Sequence, residues 1–142
     1  MSRVIIRRDT CDELERHSAG CMPNEACALL LGRTDDARDA VIIEDILMME
    51  NAQGSPVRFA IPDDQLIQAY GMAERRRMEV VGVFHSHPGS PAVPSPTDER
   101  YMLLNPVVWL IYSGMAGGIR AWVMREEIAE IPLEITRAGT RP

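Results

Sequence analysis

The chain has 142 residues, 46% of them hydrophobic and 25% charged, with a net charge of −6 at pH 7. That is the size and balance of one soluble globular domain over residues 1–142: too apolar for intrinsic disorder, without an apolar run long enough to span a bilayer, and too acidic for an extended nucleic-acid footprint. Cys11, Cys21 and Cys27 are odd in number and irregularly spaced, which argues against a disulfide framework and for a reducing compartment, so the expected location is the cytoplasm.

The N-terminus "MSRVIIRR" is basic but holds only three consecutive apolar residues, so it reads as a first, edge strand over residues 3–8 and not as a signal peptide. "DTCDELERHSAG" follows as a helix with its start at Asp9 or Thr10 and a stop at Gly20, and His17 rides on its polar face. "ACALLLG", Ala26 to Gly32, is an apolar run of strand length and is expected in the middle of a sheet. A second long strand runs from Ala40 to Asn51, and "GSPVRFAI" reads as a turn and a short third strand, with a substrate-facing loop between the two.

Residues 62–77 begin with proline and two acids, then place Leu66, Ala69, Tyr70 and Ala73 at helical spacing, which predicts a second helix. "EVVGVF", Glu79 to Phe84, is a buried strand, and "SPTDERYMLLN" is a short helix with Asp98 in its first turn. "VVWLIYS", "GGIRAWVMRE" and "IAEIPLEI" are three closing strands, with Trp109 and Trp122 as core residues. Strands and helices in this order, without repeats or linkers, predict one mixed α/β sheet with helices against its faces.

Chemistry concentrates between His85 and Asp98. His85 and His87 leave the end of a buried strand, where alternate residues share a face, so both imidazoles can address one ion. The prolines at 88, 91, 94 and 96 exclude regular structure and stiffen a loop that can return Asp98 to the histidines. Two nitrogens and one oxygen make a zinc triad with a fourth position left for water, the pattern of a catalytic site. A polar strand end that hydrogen-bonds locally is the plainer alternative, and the pairing of His-x-His with a turn-borne Asp favours metal.

Three further features bear on partners. All fifteen basic residues are arginine, which fits either a genome that favours arginine codons or a protein that works among enzymes conjugating modifiers to ε-amines. Arg75, Arg76 and Arg77 read as a solvated helix C-terminus or a docking spot for an acidic surface. Nine methionines, Met48 and Met49 among them, suit core filling or a homodimer surface.

The order Glu25, His85-x-His87-Pro88, six residues, Ser95, two residues and Asp98 resembles the JAMM (MPN-type) zinc metalloproteases, the family of the proteasome-lid deubiquitinase. "PNEACALLLG" around Glu25 is similar to the family's Pro-x-Glu-x-Cys-Gly-x-Leu-x-Gly, with Ala28 where glycine is usual, and "NAQGSPVRF" resembles a segment of bacterial and archaeal members. The resemblance implies a cytidine-deaminase-like fold with zinc at one edge of a curved mixed sheet, and a minimal catalytic domain, since eight residues separate Asp98 from the next strand. It also implies one Zn2+ per chain on His85, His87 and Asp98, Glu25 as the proton carrier and Ser95 as the oxyanion donor. The substrate it implies is a ubiquitin-like protein with a C-terminal Gly-Gly tail joined to an amine, the tail adding as a strand beside the site. A peptidase that processes a sulfur-carrier protein stands as the alternative, and a non-catalytic zinc-binding scaffold as the alternative of another class.

Overall fold

The computed structural model describes residues 2–50, 63–115 and 118–137. The elements run β1 (Arg3–Arg7), α1 (Arg8–Cys21), β2 (Cys27–Asp35), β3 (Ala40–Met49), α2 (Asp63–Arg75), β4 (Glu79–His87), α3 (Pro96–Leu104), β5 (Val108–Ser113), β6 (Ile119–Met124), β7 (Ile128–Ile131) and β8 (Leu133–Thr136). The expected short third strand and the loop before it fall outside the described residues. Among those described, eight strands form one mixed sheet in the order β7-β6-β5-β4-β2-β3-β1-β8. β1 lies parallel to β3 and β8, β4 parallel to β5, and the other pairs are antiparallel.

Two expectations about the rim of the sheet are corrected. β1 is not an edge strand, because β8 pairs along its outer side. "IAEIPLEI" is not one strand but two: Pro132 interrupts the ladder it cannot donate to, and β7 and β8 pair at opposite ends of the strand order. A single residue spans only about 3.5 Å, so the sheet must curl until its two ends meet around Pro132, whose carbonyl accepts Val4 N–H at 2.9 Å.

The curl divides the core. One face buries Val4, Ile6, Leu30, Ile43, Phe84 and Leu110 with Cys11 and Leu14 of α1; the other buries Leu29, Val83, Trp109, Ile111 and Trp122 under α2 and α3. α1 starts at Arg8, directly out of β1 and ahead of the expected cap; no side chain caps it, but Asp9 Oδ1 accepts Thr10 N–H in the first turn. Its stripe of Thr10, Cys11, Leu14 and Ser18 is buried at helical spacing. In α2, Ala69 and Ala73 are buried and Leu66 is half-buried, whereas Tyr70 is 59% exposed. Tyr70 sits on the flank of the stripe, and its ring borders an open groove shared with Tyr101 and Leu104 of α3.

β4 is internal, bonded to β2 on one side and β5 on the other. Close approach requires glycine twice: a Cβ on Gly82 would stand 2.6 Å from Val108 O, and one on Gly32, beside the β2 bulge, 1.8 Å from Ile42 O. Polar chemistry therefore has to be placed at the end of β4 and not along its length.

Candidate metal centre

β4 continues past the apolar run through His85, Ser86 and His87, so both histidines stand at the end of the strand, as the spacing implied. Parallel pairing of His87 with Ser113 and of His85 with Ile111 holds the strand to this point. Both rings project onto the face covered by α2 and α3, their centroids 4.8 Å apart, with the Trp109 ring edge-on to His85. Ser86 points the other way. Its Oγ accepts Ala26 N–H at 2.8 Å while its own N–H donates to Ala26 O, which clamps the entry of β2 to the histidine strand. Glu25, one residue earlier, is thereby brought beside His85, its Oε1 3.1 Å from Nδ1.

The proline loop returns Asp98 as anticipated. Ser95 caps α3 in a capping box: its Oγ accepts Asp98 N–H at 3.1 Å, and its N–H donates to Asp98 Oδ2 at 2.8 Å. The carboxylate so oriented faces both imidazoles, with Oδ1 3.2 Å from His85 Nε2 and Oδ2 3.0 Å from His87 Nε2. Glu25, His85 and His87 also place one donor atom each within 4.8 Å of one another, so four predicted residues meet in one buried cluster.

The tautomer of His87 follows from its neighbours. Nδ1 lies 2.7 Å from Pro91 O, and a carbonyl only accepts, so Nδ1 carries the proton. Nε2 then turns a lone pair toward a carboxylate oxygen, an arrangement favourable only with a proton or a metal cation at that nitrogen. His85 lies between two carboxylates, one at each ring nitrogen, and a neutral imidazole can donate to only one of them.

The electrostatics agree. Burial disfavours a charged His85, but hydrogen bonds from its ring to Asp98 and Glu25 outweigh it and raise the pKa from 6.5 to about 9. Burial likewise works against an ionised Asp98, yet the two histidines and the Ser95 N–H hold it well below the usual carboxylate range. Two carboxylates and two imidazoles, 0–5% exposed and short of positive charge, fit a divalent cation in donor type and burial.

Some contributors were not legible in the sequence. Ser86, the carbonyl of Pro91 and the indole of Trp122, whose N–H donates to Ala92 O at 3.0 Å, all shape the site through backbone contacts that residue type does not announce. His17 takes no part; its Nε2 donates to Cys27 O at 3.0 Å and ties α1 to β2. Because β4 is internal, the cluster lies at a strand end and not on a sheet edge, and β4 itself offers no open side for an added strand.

The fold and the cluster define a metallohydrolase-like domain, and the chain belongs to the Prok-JAB family, the prokaryotic homologs of the JAB domain, which it matches over residues 7–125. It is similar to the desampylase of Pyrococcus furiosus, with 32% identity over 113 residues covering 78% of this chain and 76% of that protein. It is also similar to the probable TtuB-protein conjugate cleaving protease of Thermus thermophilus, with 27% identity over 133 residues covering 92% and 83%. Among solved structures, protein DSY2949 of Desulfitobacterium hafniense superposes with a TM-score of 0.84 at 26% identity, covering 94% of this chain and 93% of that one.

Proposed function

We propose that this chain is a zinc peptidase that cuts after the C-terminal Gly-Gly of a ubiquitin-like protein, releasing it from a conjugate or precursor. The observation that carries the reading is the convergence of His85, His87 and Asp98, with Glu25 one hydrogen bond away, in a buried cluster whose negative charges exceed its positive ones. The relatives point to the substrate: one is a desampylase and another is named for cleaving TtuB–protein conjugates.

In this reading the two rings and the Asp98 carboxylate would hold the ion, which when bound would supply Lewis acidity for the scissile carbonyl and for an attacking water near neutral pH. The Glu25 carboxylate, oriented by the His85 ring, takes the proton of the attacking water and hands it to the leaving amine. Ser95 Oγ accepts from Asp98 N–H within the capping box, which leaves the hydroxyl proton to donate to the developing oxyanion. Residues 1–142 act as one catalytic domain. The net charge of −6 favours a protein partner over nucleic acid, and no described helix is long and apolar enough to cross a membrane. The cytoplasm is the proposed location.

The test is incubation with Gly-Gly fusions of a ubiquitin-like protein and, in a separate arm, of a sulfur-carrier protein, with and without chelator. Cleavage after Gly-Gly that chelator abolishes and zinc restores supports the proposal, and the arm that is cut identifies the substrate. Chelator-insensitive cleavage, or none by zinc-loaded protein, overturns it. Biological function unchanged by Glu25→Ala points instead to a scaffold.

A further inference from the structure

We propose that Trp122 and Ser113 are positioning residues for His87, acting through three consecutive backbone carbonyls of the proline loop. Ser90 O accepts the Ser113 hydroxyl at 2.9 Å, Pro91 O accepts His87 Nδ1–H at 2.7 Å, and Ala92 O accepts the Trp122 indole N–H at 3.0 Å. The carbonyl that fixes the histidine is thus gripped on both sides. The loop needs this help. Pro91 and Pro94 have no N–H to give, and among the described residues no backbone–backbone hydrogen bond outside helices and strands involves residues 91–94. A segment without internal bonds takes its conformation from the groups that reach it.

Both donors come from rigid places. Ser113 is buried at the end of β5, in register with His87 itself, so its hydroxyl is carried by the strand bonded to the histidine's own. Trp122 stands on β6 in register with Trp109, and the Arg120 guanidinium lies over its ring at 5.0 Å. Glu130 pins that guanidinium through two contacts of 2.7 and 2.6 Å. Two strands therefore deliver one donor each to the carbonyls flanking Pro91.

The consequence falls on the tautomer. With Pro91 O held in place, His87 keeps its proton on Nδ1 and aims the Nε2 lone pair at the position shared with Asp98. Release either anchor and the carbonyl can drift, the ring can turn, and the other tautomer becomes competitive. The effect on metal affinity rests on the reading of this cluster as a metal centre; the effect on the imidazole does not.

The experiment compares Trp122→Phe, which keeps an aromatic ring and removes only the N–H, with Ser113→Ala and with Ser18→Ala, which loses a buried hydroxyl bond to Leu14 O inside α1. Zinc affinity by competition with a chromophoric chelator, and the imidazole Nδ1–H signal of His87 by NMR on metal-free protein, are the two readouts. The expected result is about tenfold weaker zinc binding for each of the first two variants, loss or rapid exchange of the His87 Nδ1–H signal in both, and no change in either readout for Ser18→Ala. Wild-type affinity with an undisturbed His87 signal in Trp122→Phe and Ser113→Ala overturns the proposal, even if both variants melt earlier. A wild-type chain that takes up no zinc sinks the metal reading alone, and the NMR result then decides this inference by itself.

Discussion

The apolar middle of β4, Val81 to Phe84, and its last three residues are buried to the same depth and do opposite things with it. Val81, Val83 and Phe84 are 0–9% exposed and stand in the two cores; His85, Ser86 and His87, the next three residues, are 0–5% exposed and polar. For the apolar middle, leaving water is favourable, worth about 1.5–3 kcal/mol for each large apolar side chain. For the last three residues the same burial is a cost, offset where a partner meets it: Ser86 Oγ by Ala26 N–H, His87 Nδ1–H by Pro91 O, and His85 Nδ1 by Glu25, while both Nε2 atoms face the Asp98 carboxylate. The end of this strand is therefore not a polar continuation of the core. It is an assembly whose negative charges outnumber its positive ones, with the donor set and the burial that suit a cation.

Glu25 should respond most strongly to substitution. Glu25→Gln keeps an oxygen to accept from His85 but cannot carry a proton, so turnover should fall by about 10²–10⁴-fold while zinc content stays at the wild-type level. Steady-state rates with metal analysis of the same sample check this, and a variant that loses zinc in step with activity would make Glu25 a ligand instead. The apolar middle of β4 should respond the other way. Phe84→Ala empties a fully buried site and should cost about 3–5 kcal/mol in denaturant unfolding without weakening zinc uptake by the folded protein.

Acid and base sharpen the contrast further. His85 has a folded pKa of about 9 against an ordinary 6.5, so its contribution to metal-free stability is complete below about 6.5 and is lost as pH rises through 9. Asp98 is depressed, so its contribution is present above its ordinary 3.8 and is lost as pH falls below that. Metal-free protein should therefore melt highest between about pH 4 and 6.5, whereas zinc in place of the proton should remove the alkaline decline; melting curves with and without chelator from pH 4 to 10 show whether it does. The smallest expected effect is at Ser86. Ser86→Ala leaves Ala26 N–H without its acceptor and should cost about 1 kcal/mol, read from the unfolding midpoint.

Much of this was legible before the structure, and what was not has a physical reason. The strands of apolar and β-branched residues, the proline-led second helix and the Ser95-x-x-Asp98 helix start are local signals, and the spacing from His85 to Asp98 announced both rings and the carboxylate. Pro132 was visible too, but nothing local says that the halves it separates pair at opposite ends of a curled sheet, since that is decided by β1 and β6 far away in sequence. Tyr70 has the right helical spacing for burial and is exposed, because periodicity fixes a direction and not the space available there. In the site, His87 is set by a carbonyl, and every residue has one; only the register of β5 and β6 shows which carbonyl and what holds it.

The most direct test of the central claim is the metal content and coordination of the natively purified protein, measured by elemental analysis and zinc-edge X-ray absorption. The account predicts about one zinc per chain in a shell of nitrogen and oxygen donors, with two imidazoles and an exchangeable position. Material that stays free of transition metal after incubation with zinc, or a shell closed by four protein ligands, would contradict it.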